Sequence, residues 1–194
     1  MSGRVELWWA HASDAEQRRA LVRVLLARRL NCRTDAVELR ANASGRPELH
    51  RPRARLRFSV ASSGPVTLVA ITDGAAVGVD VERAANGAGL DRAQHLFLSA
   101  AEQEDVAALP PHARPRELLR RFTVKEALAK ALGTGLTDDL PALTLCPPWH
   151  GGPLPTAGDV VAALVVRGGW DACVQRRVSR PLPSLRSPPA GSGP

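Results

Sequence analysis

Asp73-Gly74 sits between two apolar runs, Val66-Thr-Leu-Val-Ala-Ile-Thr72 and Ala75-Ala-Val-Gly-Val-Asp-Val81. An Asp-Gly pair with apolar runs on both sides is a strong hairpin signal. The stretch therefore predicts two antiparallel strands in which residue 71 faces 76 and residue 65 faces 82. Side chains alternate along a strand, so Asp80 and Glu82 share one face while Val79 and Val81 share the other. Two neighbouring carboxylates repel each other unless a cation lies between them. They read either as a magnesium–phosphate site, because Mg²⁺ takes one or two carboxylates plus phosphate oxygens, or as an exposed polar strand face. The same register brings Ala61-Ser62-Ser63-Gly64-Pro65 beside them. Its hydroxyls and free N–H groups suit a phosphate and suit an ordinary turn equally well.

A second stretch carries the remaining chemistry: Phe122-Thr-Val-Lys125-Glu126-Ala-Leu-Ala-Lys130-Ala-Leu-Gly-Thr-Gly-Leu136. Of the 26 Lys and Arg residues in the chain, only Lys125 and Lys130 are lysines. A compact, tunable ammonium does a different job from a flat, permanently charged guanidinium. The pattern predicts a helix over 116–131, stopped by Gly133 and Gly135. At about 100° per residue, Val124, Ala127, Leu128, Ala131 and Leu132 form an apolar stripe. Phe122, Glu126, Ala129, Lys130 and Gly133 lie opposite, with Lys125 at the border. Taken alone, Glu126 and Lys130 read first as a solvated i,i+4 pair worth about 0.3–0.5 kcal/mol.

The rest of the chain predicts a strand at 5–10 and a helix from a Ser13 or Asp14 cap to residue 30. A turn at 31–35 and a short strand at 36–40 follow. Gly45-Arg46-Pro47 holds a cation on a stiff turn. Arg51, Arg53, Arg55 and Arg57 would share one face of a strand if 51–57 is extended. Residues 86–90 read as a crossover, and Ser99 with Glu102 as a capping box that opens a helix to about residue 109. Residues 140–145, 159–166 and 170–178 read as strands of a second sheet, with 151–158 a loop and 179–194 a disordered tail.

The net charge is +7 and the pI is about 10.8, which favours phosphates or an acidic protein surface as partner. Nucleic acid is disfavoured, because aromatic residues are only 4% and Tyr is absent, leaving few stacking platforms. The three cysteines, Cys32, Cys146 and Cys173, have no metal-binding or disulfide spacing. No apolar run of about 18 residues predicts a membrane span, and no signal-peptide core follows the first residues. The expectation is a cytoplasmic protein.

In chain order, Gly45-Arg46-Pro47, Phe58-Ser-Val-Ala-Ser-Ser-Gly64, Gly78-Val-Asp80-Val-Glu82, Phe97-Leu-Ser-Ala-Ala-Glu102 and Phe122-Thr-Val-Lys125-Glu126-Ala-Leu-Ala-Lys130 resemble the 4′-phosphopantetheinyl transferases of the larger, surfactin-synthetase-activating type. The resemblance implies an α+β pseudo-dimer of two similar halves, each an antiparallel sheet packed by a long helix, here 1–84 and 85–178. It implies a monomer that transfers 4′-phosphopantetheine from coenzyme A to a serine of an acidic acyl or peptidyl carrier protein, releasing 3′,5′-ADP. Asp80, Glu82 and Glu126 would hold Mg²⁺, and Glu126 would deprotonate the serine directly or through water. Lys130 would meet the leaving phosphate and Lys125 the pyrophosphate. Arg46, Ser62, Ser63 and, more weakly, Arg19 would bind the 3′-phosphate and adenosine end. Ser62 stands where the family usually has His, and Phe122 where it has Trp. The competing readings are a non-catalytic module binding coenzyme A or a carrier protein, and a basic nucleic-acid-binding protein.

Overall fold

In the computed structural model, which describes residues 3–43, 45–133 and 139–178, the chain opens with strand β1 (Gly3–His11) and helix α1 (Ala15–Leu30). The side chain of Asp14 caps α1 by accepting from the Gln17 N–H. Strands β2 (Glu38–Ala41), β3 (Pro47–Arg51), β4 (Arg57–Ser63), β5 (Val66–Thr72) and β6 (Val77–Arg83) follow. Then come helices α2 (Leu90–Ala93), α3 (Ala100–Ala107) and α4 (Arg114–Leu132), and strands β7 (Trp149–Pro153), β8 (Val160–Arg167) and β9 (Trp170–Arg177). The fold is α+β. One sheet runs β4-β5-β1-β9, another runs β6-β8-β7, and β2 pairs with β3. Among the described residues no helix is long and apolar enough to cross a membrane.

The two larger sheets stack face to face. Val5, Leu7, Leu68 and Ala70 of the first meet Val79, Val81, Leu164 and Val166 of the second in one buried cluster. Each sheet's outer face carries a helix. Leu21, Leu25 and Leu26 of α1 pack on Trp8, Phe58 and Ile71, while Ala127, Leu128 and Ala131 of α4 pack on Ala163 and Val165. The run Val160-Val-Ala-Ala-Leu-Val-Val166 is apolar throughout because β8 lies between these two layers, as a strand buried on both faces must. Helix α4 is enclosed from a further side, where Phe122 and Ala129 meet Phe97, Leu98 and Val106. The face of α4 opposite its apolar stripe is thus largely covered.

The expected hairpin does not form. β5 is bonded to β4 on one edge and β1 on the other, so no ladder is left for β6, which pairs with β8 instead. Asp73-Gly74 turns the chain from one sheet into the other. The serine stretch still reaches the carboxylates because β4 passes beside β6. The Ser59 hydroxyl accepts the Val79 N–H at 3.1 Å, and the Ser63 hydroxyl accepts the Arg83 N–H at 3.1 Å.

Other expectations are corrected too. The stretch 51–57 is not one strand: β3 ends at Arg51, and Pro52 has no N–H to extend a ladder. The stretch 140–145 holds a single 3₁₀ turn, Leu140–Ala142, with Pro141 inside it. β7 occupies the first part of the expected loop at 151–158. β9 runs parallel to β1 in the first sheet, and β6 lies in the second, so residue 84 does not divide the sheets. Gly135 and the tail 179–194 lie outside the described residues.

Gly78 is where β6 crosses α4. A Cβ there would stand 1.9 Å from the Ala127 carbonyl oxygen and 2.5 Å from the Ala131 nitrogen. Both are backbone atoms, so the strand would have to lift. Gly78→Ala is expected to cost about 2–3 kcal/mol, as overpacking does, read as a lower urea midpoint. A midpoint equal to the parent's would show that the two elements have slack at this crossing.

Candidate active site

The close crossing at Gly78 aims the next residue on that strand face, Asp80, at α4. Asp80 is buried, and one of its oxygens accepts from the Lys130 ammonium at 2.6 Å. The expected Glu126–Lys130 pair is therefore replaced by a pair between helix and strand. Glu126, one turn earlier on α4, is also buried. Asp80 Oδ2 and Glu126 Oε1 are both shielded from solvent without a hydrogen-bond partner. A buried oxygen left unpaired costs about 1–3 kcal/mol, more when charged. Two of them beside one ammonium mark a place built to receive something positive.

The electrostatics agree. Burial lifts the Asp80 carboxyl above its ordinary value; the charge and hydrogen bond of Lys130 pull it back, and Glu82 adds to the rise. Burial likewise lifts Glu126, with Lys130 opposing and Asp80 and Glu82 adding. Asp80 and Glu126 thus both feel Lys130 and the charge of Glu82. Glu82 is turned toward other donors: the Ser63 hydroxyl donates to it at 3.0 Å, as does the Asn86 amide.

Among the described residues no three His, Cys, Asp or Glu side chains gather closely enough to hold a metal between them. Two unpaired buried carboxylate oxygens nevertheless fit a hard cation that keeps water and takes phosphate oxygens as its other ligands. The donor set therefore suits Mg²⁺ held by Asp80 and Glu126, with Glu82 adjacent.

The other expected site residues divide into two groups. Arg19 and Ser62 line, with Arg18 and Pro47, a cleft of about 400 Å³ that reaches Lys130. A smaller hollow of about 240 Å³, lined by Arg46, Phe58, Ser59 and Lys130, adjoins it. Ser63, Lys125 and Arg46 already have partners. The Ser63 hydroxyl donates to Glu82 and accepts from the Arg83 N–H and the Asn86 amide. Lys125 is buried against Glu102 at 2.7 Å, and its ammonium also donates to the carbonyls of Leu140 and Pro141, each at 3.1 Å. The Arg46 guanidinium donates to three backbone carbonyls, those of Lys130, Phe58 and Val77.

Asn86 and Ser59 were not singled out from the sequence. Ser59 supports the site by accepting from the Val79 N–H, and Asn86 by donating to the distant Ser63 hydroxyl and to the nearby Glu82 carboxylate; no local pattern marks the two distant contacts. The capping box at Ser99 and Glu102 is present as expected.

The family model of the 4′-phosphopantetheinyl transferase superfamily matches residues 76–174, about half of the chain. Those residues include Asp80, Glu82, Glu126 and Lys130. A Synechocystis sp. protein named as a candidate 4′-phosphopantetheinyl transferase is 29% identical over 123 residues. That alignment covers 63% of this chain and 50% of the relative, so the chain spans about half the length of the curated relative it matches.

Proposed function

The chain belongs to the 4′-phosphopantetheinyl transferase superfamily, and from that premise we propose that it moves the 4′-phosphopantetheine group of coenzyme A onto a serine of an acidic acyl or peptidyl carrier protein. We place it with the surfactin-synthetase-activating type, working as a cytoplasmic monomer on fatty-acid, polyketide or nonribosomal-peptide carriers. The two helix-backed sheets are read as the halves of its pseudo-dimer. One observation carries the reading: the unpartnered buried oxygens of Asp80 and Glu126 beside the Lys130 ammonium.

Asp80 and Glu126, with Glu82 next to them, are the residues that would hold Mg²⁺. When bound, Mg²⁺ supplies charge neutralisation and alignment of the diphosphate. This chain's own residues do the rest. Glu126, its proton affinity raised by burial, takes the proton of the carrier serine. The serine oxygen forms its bond to the β-phosphorus as the bond from that phosphorus to the bridging oxygen breaks. The bridging oxygen leaves with the electron pair on 3′,5′-ADP, where the Lys130 ammonium meets the new charge. Transfers of this kind depend mostly on positioning and charge neutralisation. Arg18, Arg19 and Ser62 line the cleft that would take the adenosine end.

The test follows 3′,5′-ADP release from coenzyme A, Mg²⁺ and an apo carrier domain. Release that persists with a carrier lacking the serine would refute the reading.

A second expectation concerns pH. Asp80 and Glu126 titrate above their ordinary values when folded. Their contribution to stability is therefore fullest below the ordinary carboxylate range and is lost as pH rises through the raised folded values. As each carboxyl ionises at rising pH it opposes folding, and bound Mg²⁺ would relieve this. A saturating cation at about 100 times its Kd adds about 2.7 kcal/mol, or about 5–10 °C at about 2–4 °C per kcal/mol for a chain of this size. The rise in Tm with Mg²⁺ should be large at pH 7.5 and small at pH 5. Equal rises at both would place the cation elsewhere.

A further inference from the structure

The stiff Gly45-Arg46-Pro47 turn carries an arginine whose expected work is to grip an anion. Its hydrogen bonds show a different use. Nη2 donates to the carbonyls of Phe58 at 2.8 Å and Val77 at 2.9 Å, and Nη1 donates to the carbonyl of Lys130. These acceptors belong to the first residues of β4 and β6 and to the last turn of α4. A guanidinium has five N–H groups arranged as two forks, and each fork that can grip a phosphate needs an N–H of Nη2. Both N–H groups of Nη2 are committed to carbonyls, so neither fork is free.

The third acceptor sets the consequence. The Lys130 carbonyl lies near the C-terminal end of α4, where carbonyls lack helical partners, and the same residue's ammonium is paired with Asp80 at 2.6 Å. We propose that Arg46 is a positioning residue: it fastens the main chain of Lys130 to the starts of β4 and β6, and so fixes where the Lys130 ammonium stands against Asp80. The cation serves the proposed transfer through Lys130 and does not bind the 3′-phosphate of the donor. The kinetic part of this inference rests on the transfer reaction proposed above; the placement of Arg46 does not.

Lys cannot reproduce three contacts in fixed directions, so Arg46→Lys should behave as a loss. A displacement of this size near the reacting groups is expected to lower kcat about 10- to 100-fold, with KM for coenzyme A changing less than about threefold. The loss should be the same with 3′-dephospho-coenzyme A as donor, and it should shrink in a Lys130→Ala background. A loss that appears as KM and vanishes with the dephospho donor would overturn the inference.

A readout on the unaltered protein covers the case in which the variant fails to fold. Guanidinium protons of Arg46, assigned through its backbone by NMR, should be protected from solvent exchange in the free protein and unmoved by coenzyme A. Protons that exchange freely until coenzyme A is added would overturn the inference as well. A chain that transfers from neither donor yet shows protected Arg46 protons would refute the proposed reaction and uphold the placement.

Discussion

Glu126→Gln is expected to lower carrier modification by about 10³-fold, within the range of about 10²–10⁴ for a lost general base, while leaving the free protein as stable as the parent or more stable. The two effects have one cause. Glu126 is buried in α4 with Oε1 unpaired, and burial is the largest influence raising its proton affinity. A neutral amide of the same shape removes an ion that the fold does not itself satisfy. It would also remove the group proposed to take the serine proton and one of the two unpaired oxygens proposed to hold the cation. Urea denaturation and single-turnover transfer, measured on the same preparation, check both halves. A variant with parental turnover would exclude Glu126 from the chemistry, and one that is inactive because it is unfolded would assign it to the core.

Lys125→Met is expected to act in the opposite way, losing about 3 kcal/mol of stability with KM for coenzyme A unchanged. The Lys125 side chain is 5% exposed, and Glu102 is 29% exposed. Removing one partner of a buried pair costs about 3–5 kcal/mol, and the partial exposure of Glu102 points to the lower end. The carbonyls of Leu140 and Pro141 lose their donor as well. Burial works to raise the Glu102 carboxyl, but hydrogen bonds from Lys125 and the Ser99 N–H, with the Lys125 charge, hold it below its ordinary value. The pair's contribution is therefore present above the ordinary carboxylate range and lost as pH falls through that lowered value. A Lys125 variant of parental stability but raised KM would return this residue to the pyrophosphate, as the sequence pattern suggested.

The contrast between the two neighbours on α4 shows what was readable in the chain. Alternation along β6 correctly set Asp80 and Glu82 apart from Val79 and Val81, and local cap chemistry correctly placed Asp14, Ser99 and Glu102. These depend on residues a few positions apart. The hairpin at Asp73-Gly74 failed because the choice between β5 and β8 as the partner of β6 was decided by β1 and β4, both distant in the chain. Lys125 and Arg46 were assigned to phosphates because a cation in a phosphate-binding pattern suggests an anion. Arg46 is held by main-chain carbonyls, which every residue carries and no sequence marks, and Lys125 by two carbonyls and the distant Glu102 carboxylate. Gly78 stands where its strand crosses α4 at backbone contact, a packing that no local pattern marks. The helix pattern alone pairs Lys130 with Glu126; the structure pairs it with Asp80 at 2.6 Å, because only the crossing at Gly78 brings Asp80 within reach.

The most direct measurement is the intact mass of an apo carrier protein after incubation with this chain, coenzyme A and Mg²⁺. The predicted result is a gain equal to one phosphopantetheine group at the carrier serine, absent with the Glu126→Gln chain. An unchanged carrier mass across acyl and peptidyl carriers, with the chain folded and coenzyme A intact, would contradict the assignment of Asp80, Glu126 and Lys130 to phosphopantetheinyl transfer.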